Sequence, residues 1–292
     1  MGEQLVARRV AAYVVQDAPF PALRERWQRA EELGFDAIYL ADHTGDYRNL
    51  DGHWFEAWTT LAAMAAGTTR ARIGPLVANP VLRPPAVVAK AAVTVDHLSG
   101  GRLDLGVGTG IAGFDHAAVG VPYWDLRERL TRFTAYVEAL DGLLRCRDRS
   151  FQRLGGHVQT LHAPCAPAPV QQPRPPIVLG GQSRSVRRLA ARVADGWNTH
   201  GGFGLSYAQI LEDTGNQNRV MDEDCRSVGR DPADVRRSVL LFEALDPWLT
   251  GVDPSDVARD FGSAGVQDFV LFWPSVDRED EVADVRSRLR SG

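Results

Sequence analysis

Asp42 and His43 stand side by side directly after the apolar run Asp36–Ala41, DAIYLA. An imidazole changes charge near neutral pH, so a histidine released at the end of a strand is a candidate proton donor or acceptor. The competing reading is a loop histidine that caps the next turn. Two glycine-rich turns follow similar apolar runs: Gly108, Thr109 and Gly110 after RLDLGVG, and Gly180 and Gly181 with Ser183 after PIVLGG. The second turn opens a helix, whose free N–H groups and positive dipole end suit a phosphate. Its plainer reading is that Gly181 turns the chain and Ser183 caps the helix. Glu56 is a candidate contact that equally well compensates the dipole of the helix it opens.

Other chemistries find less support. The sequence has no H-E-x-x-H and no His pair at metal spacing on one element, so no metal site is expected. His53, His116, His157 and His162 fall in probable loops, where solvated side chains are the expectation. Cys146, Cys165 and Cys225 are odd in number and lack C-x-x-C spacing, which indicates neither a zinc cage nor a disulfide framework. Lys90 is the only lysine; it lies in an apolar helical pattern, and no phosphate-binding G-x-x-x-x-G-K-[ST] loop occurs.

The elements that must position these residues alternate along the chain. Strand patterns at Val10–Val15, Asp36–Ala41, Thr69–Val77, RLDLGVG, PIVLGG, DGWNTH, Val235–Ala244 and VQDFVLF are each followed by a helical pattern. The interval between RLDLGVG and the long helix at Leu126–Leu144, FDHAAVGVPYWD, reads as loop. Residues 145–175, rich in proline and containing Gly155 and Gly156, read as an insertion of loops and a hairpin. Eight strand–helix units of roughly 36 residues in a chain of 292 predict a TIM-like (β/α)8 barrel with a loop-rich insertion after the fourth helix, as one domain over 1–292. A doubly wound sheet is the rival, because GTGIAG satisfies G-x-G-x-x-G at Gly108, Gly110 and Gly113. That fingerprint should open the first βαβ unit, and here three units precede it. In a barrel the chemistry belongs at the C-terminal ends of the strands, which is where the residues above lie.

Composition narrows the partners. With 33 basic and 37 acidic residues the net charge is −4, which gives no electrostatic reason to expect nucleic acid or an anionic membrane. The apolar run VAAYVV is too brief for a signal peptide and no stretch reaches the length of a membrane span, so a cytoplasmic enzyme with a small-molecule substrate is expected.

Four segments, GFDAIYLADH, EAWTTLAAMAAGTTRARIGPLV, RPPAVVAKAAVTVDHLSGGRLDLGVGTG and PPIVLGGQSRSVRRLAARVADGWN, together resemble the bacterial luciferase-like family of flavin and deazaflavin oxidoreductases. The resemblance implies a TIM-like barrel with an insertion, usually a homodimer, holding FMN or the deazaflavin coenzyme F420. Asp42–His43 and GVGTG are more similar to the F420-dependent branch. There a non-prolyl cis peptide backs the central ring of the cofactor; it would fall at Leu76–Val77 or one residue later. The implied cofactor contacts are Asp42, Leu76, Val77, Asn79, Thr109, Gly110, Gly180, Gly181 and Ser183, with His43 as the acid or base beside the substrate. An F420-dependent hydride transfer is the leading reading. An FMN-dependent monooxygenase using reduced flavin and O₂ is the alternative, and a flavin-binding member without turnover a third. Two departures argue against a glucose 6-phosphate substrate: Ile111 stands where sugar-phosphate dehydrogenases of the family carry an acid, and their phosphate-holding lysines are missing. Trp54, Phe114, Trp124, Trp197, Phe203 and Trp273 are candidates to line the pocket, about half of them being expected to do so.

Overall fold

Each of the eight short apolar runs has too few residues to bury its own faces, and the chain solves this by pairing them in parallel and laying helices over the outside. The computed structural model describes residues 8–47 and 49–292. Residues 1–7 and 48, which the single-domain reading also included, lie outside that set. In chain order the first half runs β1 (Arg9–Tyr13), α1 (Phe20–Glu32), β2 (Ala37–Leu40), α2 (Ala57–Gly67), β3 (Arg72–Pro75), α3 (Pro85–Leu98), β4 (Leu105–Val107), α4 (Gly113–Ala118) and α5 (Leu126–Arg145). A hairpin of β5 (Ser150–Arg153) and β6 (Thr160–Pro164) follows. The alternation then resumes with β7 (Ile177–Gly180), α6 (Arg184–Val193), β8 (Gly196–Thr199), α7 (Tyr207–Ser227), β9 (Arg236–Leu241), α8 (Pro247–Thr250), α9 (Pro254–Ser263), β10 (Asp268–Phe272) and α10 (Val282–Ser291).

The parallel sheet has the order β3-β2-β1-β10-β9-β8-β7-β4. Parallel bridges at Ile73–Leu103 and Ala78–Val107 join its two ends, so the sheet closes into a TIM-like (β/α)8 barrel. Strand alternation divides the core in two. Val10, Ala12 and Val14 belong to the large cluster shared with the helices, whereas Ala11 and Tyr13 join Ala37, Ala41, Leu76 and Val270 in the smaller cluster inside the barrel. At the N-terminal ends of the strands the interior turns polar. Tyr39 and Arg72 both bond to Asp104, at 3.1 and 2.8 Å, and Arg236 pairs with Asp268, around a cavity of about 220 Å³. Such paired charges stiffen that end and leave the opposite end for chemistry.

Local chemistry starts and stops the helices. Asp125, Ser183, Ser206 and Asp253 each accept a backbone N–H as N-caps, and Ser206 with Gln209 makes a complete capping box. Pro85, at the first position of α3, lacks only an N–H that would have had no partner there.

Three expectations need correction. The segment read as loop after the fourth strand contains α4, a six-residue helix whose buried face carries Asp115 and His116. Its polar, glycine-flanked sequence hides the helix because the apolar stripe that would announce it is replaced by two buried polar side chains. Cys146 and Cys165 form a disulfide, with Cα atoms 5.9 Å apart. The pairing of β5 with β6 brings them within bridging distance: Ser150 lies opposite Pro164, and the Cys165 N–H donates to the Arg149 carbonyl, a register that the 19-residue separation alone does not reveal. The last helix begins at Val282, later than the pattern from Glu279 suggested, after a 3₁₀ segment at Val276–Glu281.

Closure of the barrel depends on backbone contact at Gly74, where a Cβ would stand 1.8 Å from the Asp104 carbonyl oxygen. Gly74→Ala must therefore push β3 and β4 apart. Urea unfolding should show a loss of about 3 kcal/mol, the upper end for overpacking a core. By contrast Gly215→Ala in α7 meets only the Ala264 Cβ at 3.8 Å and should be neutral or stabilising by up to about 1 kcal/mol.

Candidate functional site

The C-terminal end of β2 is where the chain first leaves the barrel with a titratable group. Gln16 grips this exit: its side-chain amide donates to the Ala41 carbonyl at 2.6 Å and its oxygen accepts the Ala41 N–H at 3.2 Å, imitating one more step of sheet. The two residues that follow take different paths. Asp42 turns into the protein and is 1% exposed. Its oxygens accept from Arg83 at 2.8 and 3.0 Å and from the Asn79 N–H at 3.0 Å. Burial pushes its carboxyl above the usual range even though Arg83 pulls the other way. Asp42, expected among the cofactor contacts, thus directs both oxygens at Arg83 and the Asn79 N–H. Arg83 also pairs with Glu56, which caps α2 by accepting the Trp58 and Thr59 N–H groups. Glu56 is thus a helix cap and ion-pair partner.

His43 turns the other way, toward the mouth. Its Nδ1 lies 2.6 Å from Oδ2 of Asp115, its carbonyl accepts the Trp54 indole N–H at 2.7 Å, and its ring sits 5.7 Å from that of Phe114. Asp115 is fully buried and receives four donors. Oδ1 takes the N–H and hydroxyl of Thr44, both at 2.8 Å, and Oδ2 takes His43 and the Asn79 amide, the latter at 2.7 Å. Burial alone would raise this carboxyl; the hydrogen bonds and charge interaction with His43 and the bonds from Thr44 outweigh it, and the group is held below the ordinary aspartate value. An ionised carboxylate only accepts, so the His43 proton sits on Nδ1 and leaves Nε2 as the open, basic nitrogen. Sequence reading missed Asp115. The available signal was an acid five residues beyond Gly110, in a segment short enough to fold back over the strand ends.

Beside His43, the Leu76–Val77 peptide is cis, at the position the resemblance implies. The Val77 methyls occupy the space a side chain would need at Gly108 and Gly180, where a Cβ would approach within 2.2 and 2.9 Å. Gly110 has a φ of +73°, and a Cβ there would meet Val81 at 2.6 Å and Asn79 at 3.0 Å. The ends of β3, β4 and β7 therefore meet in one close-packed shelf. Asn79 belongs to its support: its amide is committed to Asp115 and its oxygen accepts the Val81 N–H at 3.0 Å. On the far side, the Gly181 N–H donates to Asn198 at 3.1 Å and its carbonyl accepts the Trp197 indole N–H at 2.7 Å. Ser183 accepts the Val186 N–H at 3.3 Å as the cap of α6, whose first turn has no acidic side chain.

The remaining candidates separate cleanly. His116, expected in solvent, is buried between the Pro122 and Gly110 carbonyls, at 2.9 and 3.2 Å, and packs on Tyr123 and Trp124. It braces the turn after β4. His53, His157 and His162 are exposed. Trp54 and Phe114 flank His43 and Phe203 stands beside His200, whereas Trp197 and Trp273 are core and Trp124 packs under Arg132. Among the described residues no three His, Cys, Asp or Glu side chains gather to hold a metal, and no helix is long and apolar enough to cross a membrane.

Asp115→Asn keeps the shape and removes the charge that four donors converge on. At neutral pH it should cost roughly 2 to 3 kcal/mol, the range for bonds to a charged group. The native carboxyl titrates below 3.8, so the wild-type advantage is complete above that value. It vanishes as pH falls through the depressed native value. Urea unfolding of both proteins across acidic pH checks the size and the window.

The sequence model of a family described as luciferase-like monooxygenase matches residues 4–248. The F420-dependent glucose-6-phosphate dehydrogenase of Kineococcus radiotolerans is 35% identical over 220 residues, covering 75% of this chain and 62% of that protein. The protein of the same description from Segniliparus rotundus is 33% identical over 227 residues, covering 75% and 64%. The chain thus spans less than two thirds of the length of these relatives. Among solved structures, an F420-dependent secondary alcohol dehydrogenase in complex with an F420-acetone adduct aligns with a TM-score of 0.82 at 18% identity, over 98% of this chain and 100% of that one. A riboflavin lyase with modified FMN and riboflavin aligns at 0.76 and 15% identity, over 98% and 93%. These structures share the fold. With the barrel and the family match in place, the chain belongs to the luciferase-like monooxygenase family.

Proposed function

We propose that this chain is a coenzyme F420-dependent oxidoreductase that transfers a hydride between the deazaflavin and a small organic substrate. The observation that carries the reading is the His43–Asp115 pair at the C-terminal ends of the barrel strands. The names of the relatives at 33 to 35% identity support the choice of cofactor.

The residues present fit such a cofactor. A fused ring needs a floor to lie against, and at Gly108 and Gly180, which add no side chain of their own, the nearest neighbouring side chain is that of Val77. Leu76, Val77, Thr109 and Gly110 would hold the ring; Gly180, Gly181, Ser183 and the first turn of α6 would hold the phosphate. Asp42 and Asn79 act from behind, fixing the end of β3 and the carboxylate of Asp115. When bound, the deazaflavin supplies hydride exchange with a substrate carbon.

The chain supplies the proton. As an alcohol carbon gives up its hydride, Nε2 of His43 takes the hydroxyl proton and Asp115 stabilises the resulting imidazolium; in ketone reduction the same nitrogen returns the proton to oxygen. Ile111, 55% exposed, offers no second acid. Lys90 donates to the Ala166 carbonyl on the outside of the barrel and cannot serve a substrate phosphate. Both features argue against the sugar phosphate named for the relatives; an anionic substrate would have to be held by arginine, backbone amides or His200.

This reading includes a cytoplasmic homodimer, in keeping with the sequence resemblance. An apolar groove between α3, α5 and β6, lined by Ala86, Val87, Val93, Leu143 and Ala163, offers surface for a second copy. Light scattering should return twice the chain mass of 32.0 kDa, and a monomer at micromolar concentration would remove this part.

Titration with F420 and with reduced FMN tests the cofactor: F420 should bind at least about tenfold more tightly, a difference of about 1.4 kcal/mol. Tight binding of FMN alone would favour the oxygen-dependent alternative. With F420 bound, His43→Ala should lower kcat by about a hundredfold to ten-thousandfold, the range for a lost acid or base, and intact turnover would exclude the assigned role.

A further inference from the structure

The half of the barrel mouth opposite the shelf is built differently. Tyr13 at the end of β1 meets Phe272 at the end of β10, with ring centroids 5.0 Å apart, and Phe272 meets Phe242 just after β9 at 6.1 Å. Phe242 in turn contacts Phe203 at 5.5 Å and His200 at 6.0 Å, and the last two lie 5.4 Å from each other. Because β1, β10, β9 and β8 are consecutive in the sheet, these rings form one continuous wall over half of the rim. Its β1 end reaches the catalytic half, since the Tyr13 hydroxyl, pushed up by burial, also feels the charge of Asp42.

Two features mark this wall as more than packing. The Nδ1 atom of His200 is buried without a hydrogen-bond partner, a costly arrangement for a residue at a rim. Glu243 is the only non-glycine described residue with a left-handed φ, +48°. Its carboxylate accepts the Gly204 N–H at 2.8 Å. That bond clasps the loop Gly201–Gly204, in which Gly201, Gly202 and Gly204 all have positive φ, and so places Phe203 against His200. Phe203 remains 65% exposed, an aromatic lip over the mouth. Burial depresses the His200 imidazole, so at neutral pH it is uncharged and can still donate or accept.

We propose that His200, Phe203 and Phe242, with Glu243 positioning the loop, form a specificity subsite for an uncharged aromatic ketone or alcohol. The proposal rests on the hydride-transfer reading above and names the substrate class of that site. Rings contact a planar substrate edge-on or face-on. His200 supplies one hydrogen bond to a polar substituent, and the carboxylate of Glu243 repels phosphates and carboxylates. In the reductive direction the hydride of the reduced deazaflavin adds to the carbonyl carbon and His43 delivers the proton to the carbonyl oxygen, giving the alcohol and the oxidised cofactor.

The test follows reoxidation of the deazaflavin in protein loaded with reduced F420 on adding acetophenone or acetone, and, in protein loaded with oxidised F420, reduction of the deazaflavin by glucose 6-phosphate. The expected kcat/KM for acetophenone exceeds that for acetone by about tenfold or more, and Phe203→Ala, a change at an exposed site, lowers that ratio by about tenfold. Equal rates for the two ketones, an unchanged ratio in Phe203→Ala, or a preference for glucose 6-phosphate would overturn the subsite while leaving the F420 reading intact. If none of the three is turned over, equilibrium dialysis of acetophenone against the F420-loaded protein decides the subsite, while the F420 titration decides the cofactor reading separately. Binding that weakens in Phe203→Ala supports it; absent or unchanged binding overturns it.

Discussion

A fully buried carboxylate survives in a protein only when its charge is met from every side. Asp115 meets that requirement with two donors on each oxygen, and the donors come from two separate parts of the chain, His43 and Thr44 after β2 and Asn79 after β3, neither of them on the helix that carries the acid. The rest of the mouth is arranged around this demand. Asn79 can reach Asp115 because Asp42 and Arg83 hold the end of β3, and α4 can deliver Asp115 because His116 pins the turn after β4 to Gly110 and Pro122. Two adjacent residues, Asp42 and His43, thus divide the work. One is spent on architecture and the other is left with a single free nitrogen.

The same economy governs the shelf. The Val77 methyls fill the space that side chains at Gly108 and Gly180 would need, so the ends of β3, β4 and β7 meet around one side chain. Across the mouth, the wall from Tyr13 to Phe203 is apolar and aromatic. The barrel thus opposes a glycine-rich rim with a ring-lined one, and His43, after β2, stands where the two halves meet. The opposite end of the barrel, closed by Arg72–Asp104 and Arg236–Asp268, contributes rigidity.

The architecture was legible in the sequence because its signals are local. Apolar runs of four to six residues alternating with 3.6-residue periodicity require a βα repeat, and eight repeats require closure. The placement of His43 after a strand, the glycines of the two turns and the cap at Ser183 are also local, and the structure has all of them where the sequence puts them. What stayed hidden depends on long-range approach. Asp115 reaches His43 across 72 residues, Cys146 meets Cys165 through the pairing of β5 with β6, and His116 looked solvated because nothing in its neighbours shows that two carbonyls will close on it.

By itself, then, the sequence determined the barrel and the placing of His43 and the two glycine turns at the C-terminal ends of its strands, since period, turn chemistry and strand order are written residue by residue. Only the tertiary structure decided which acid orients that histidine, that Asp42 is a strut, and that aromatic rings from four strands join into one wall. Those outcomes are set by which side chains share a buried volume, and burial is a property of the closed barrel that no stretch of sequence carries alone.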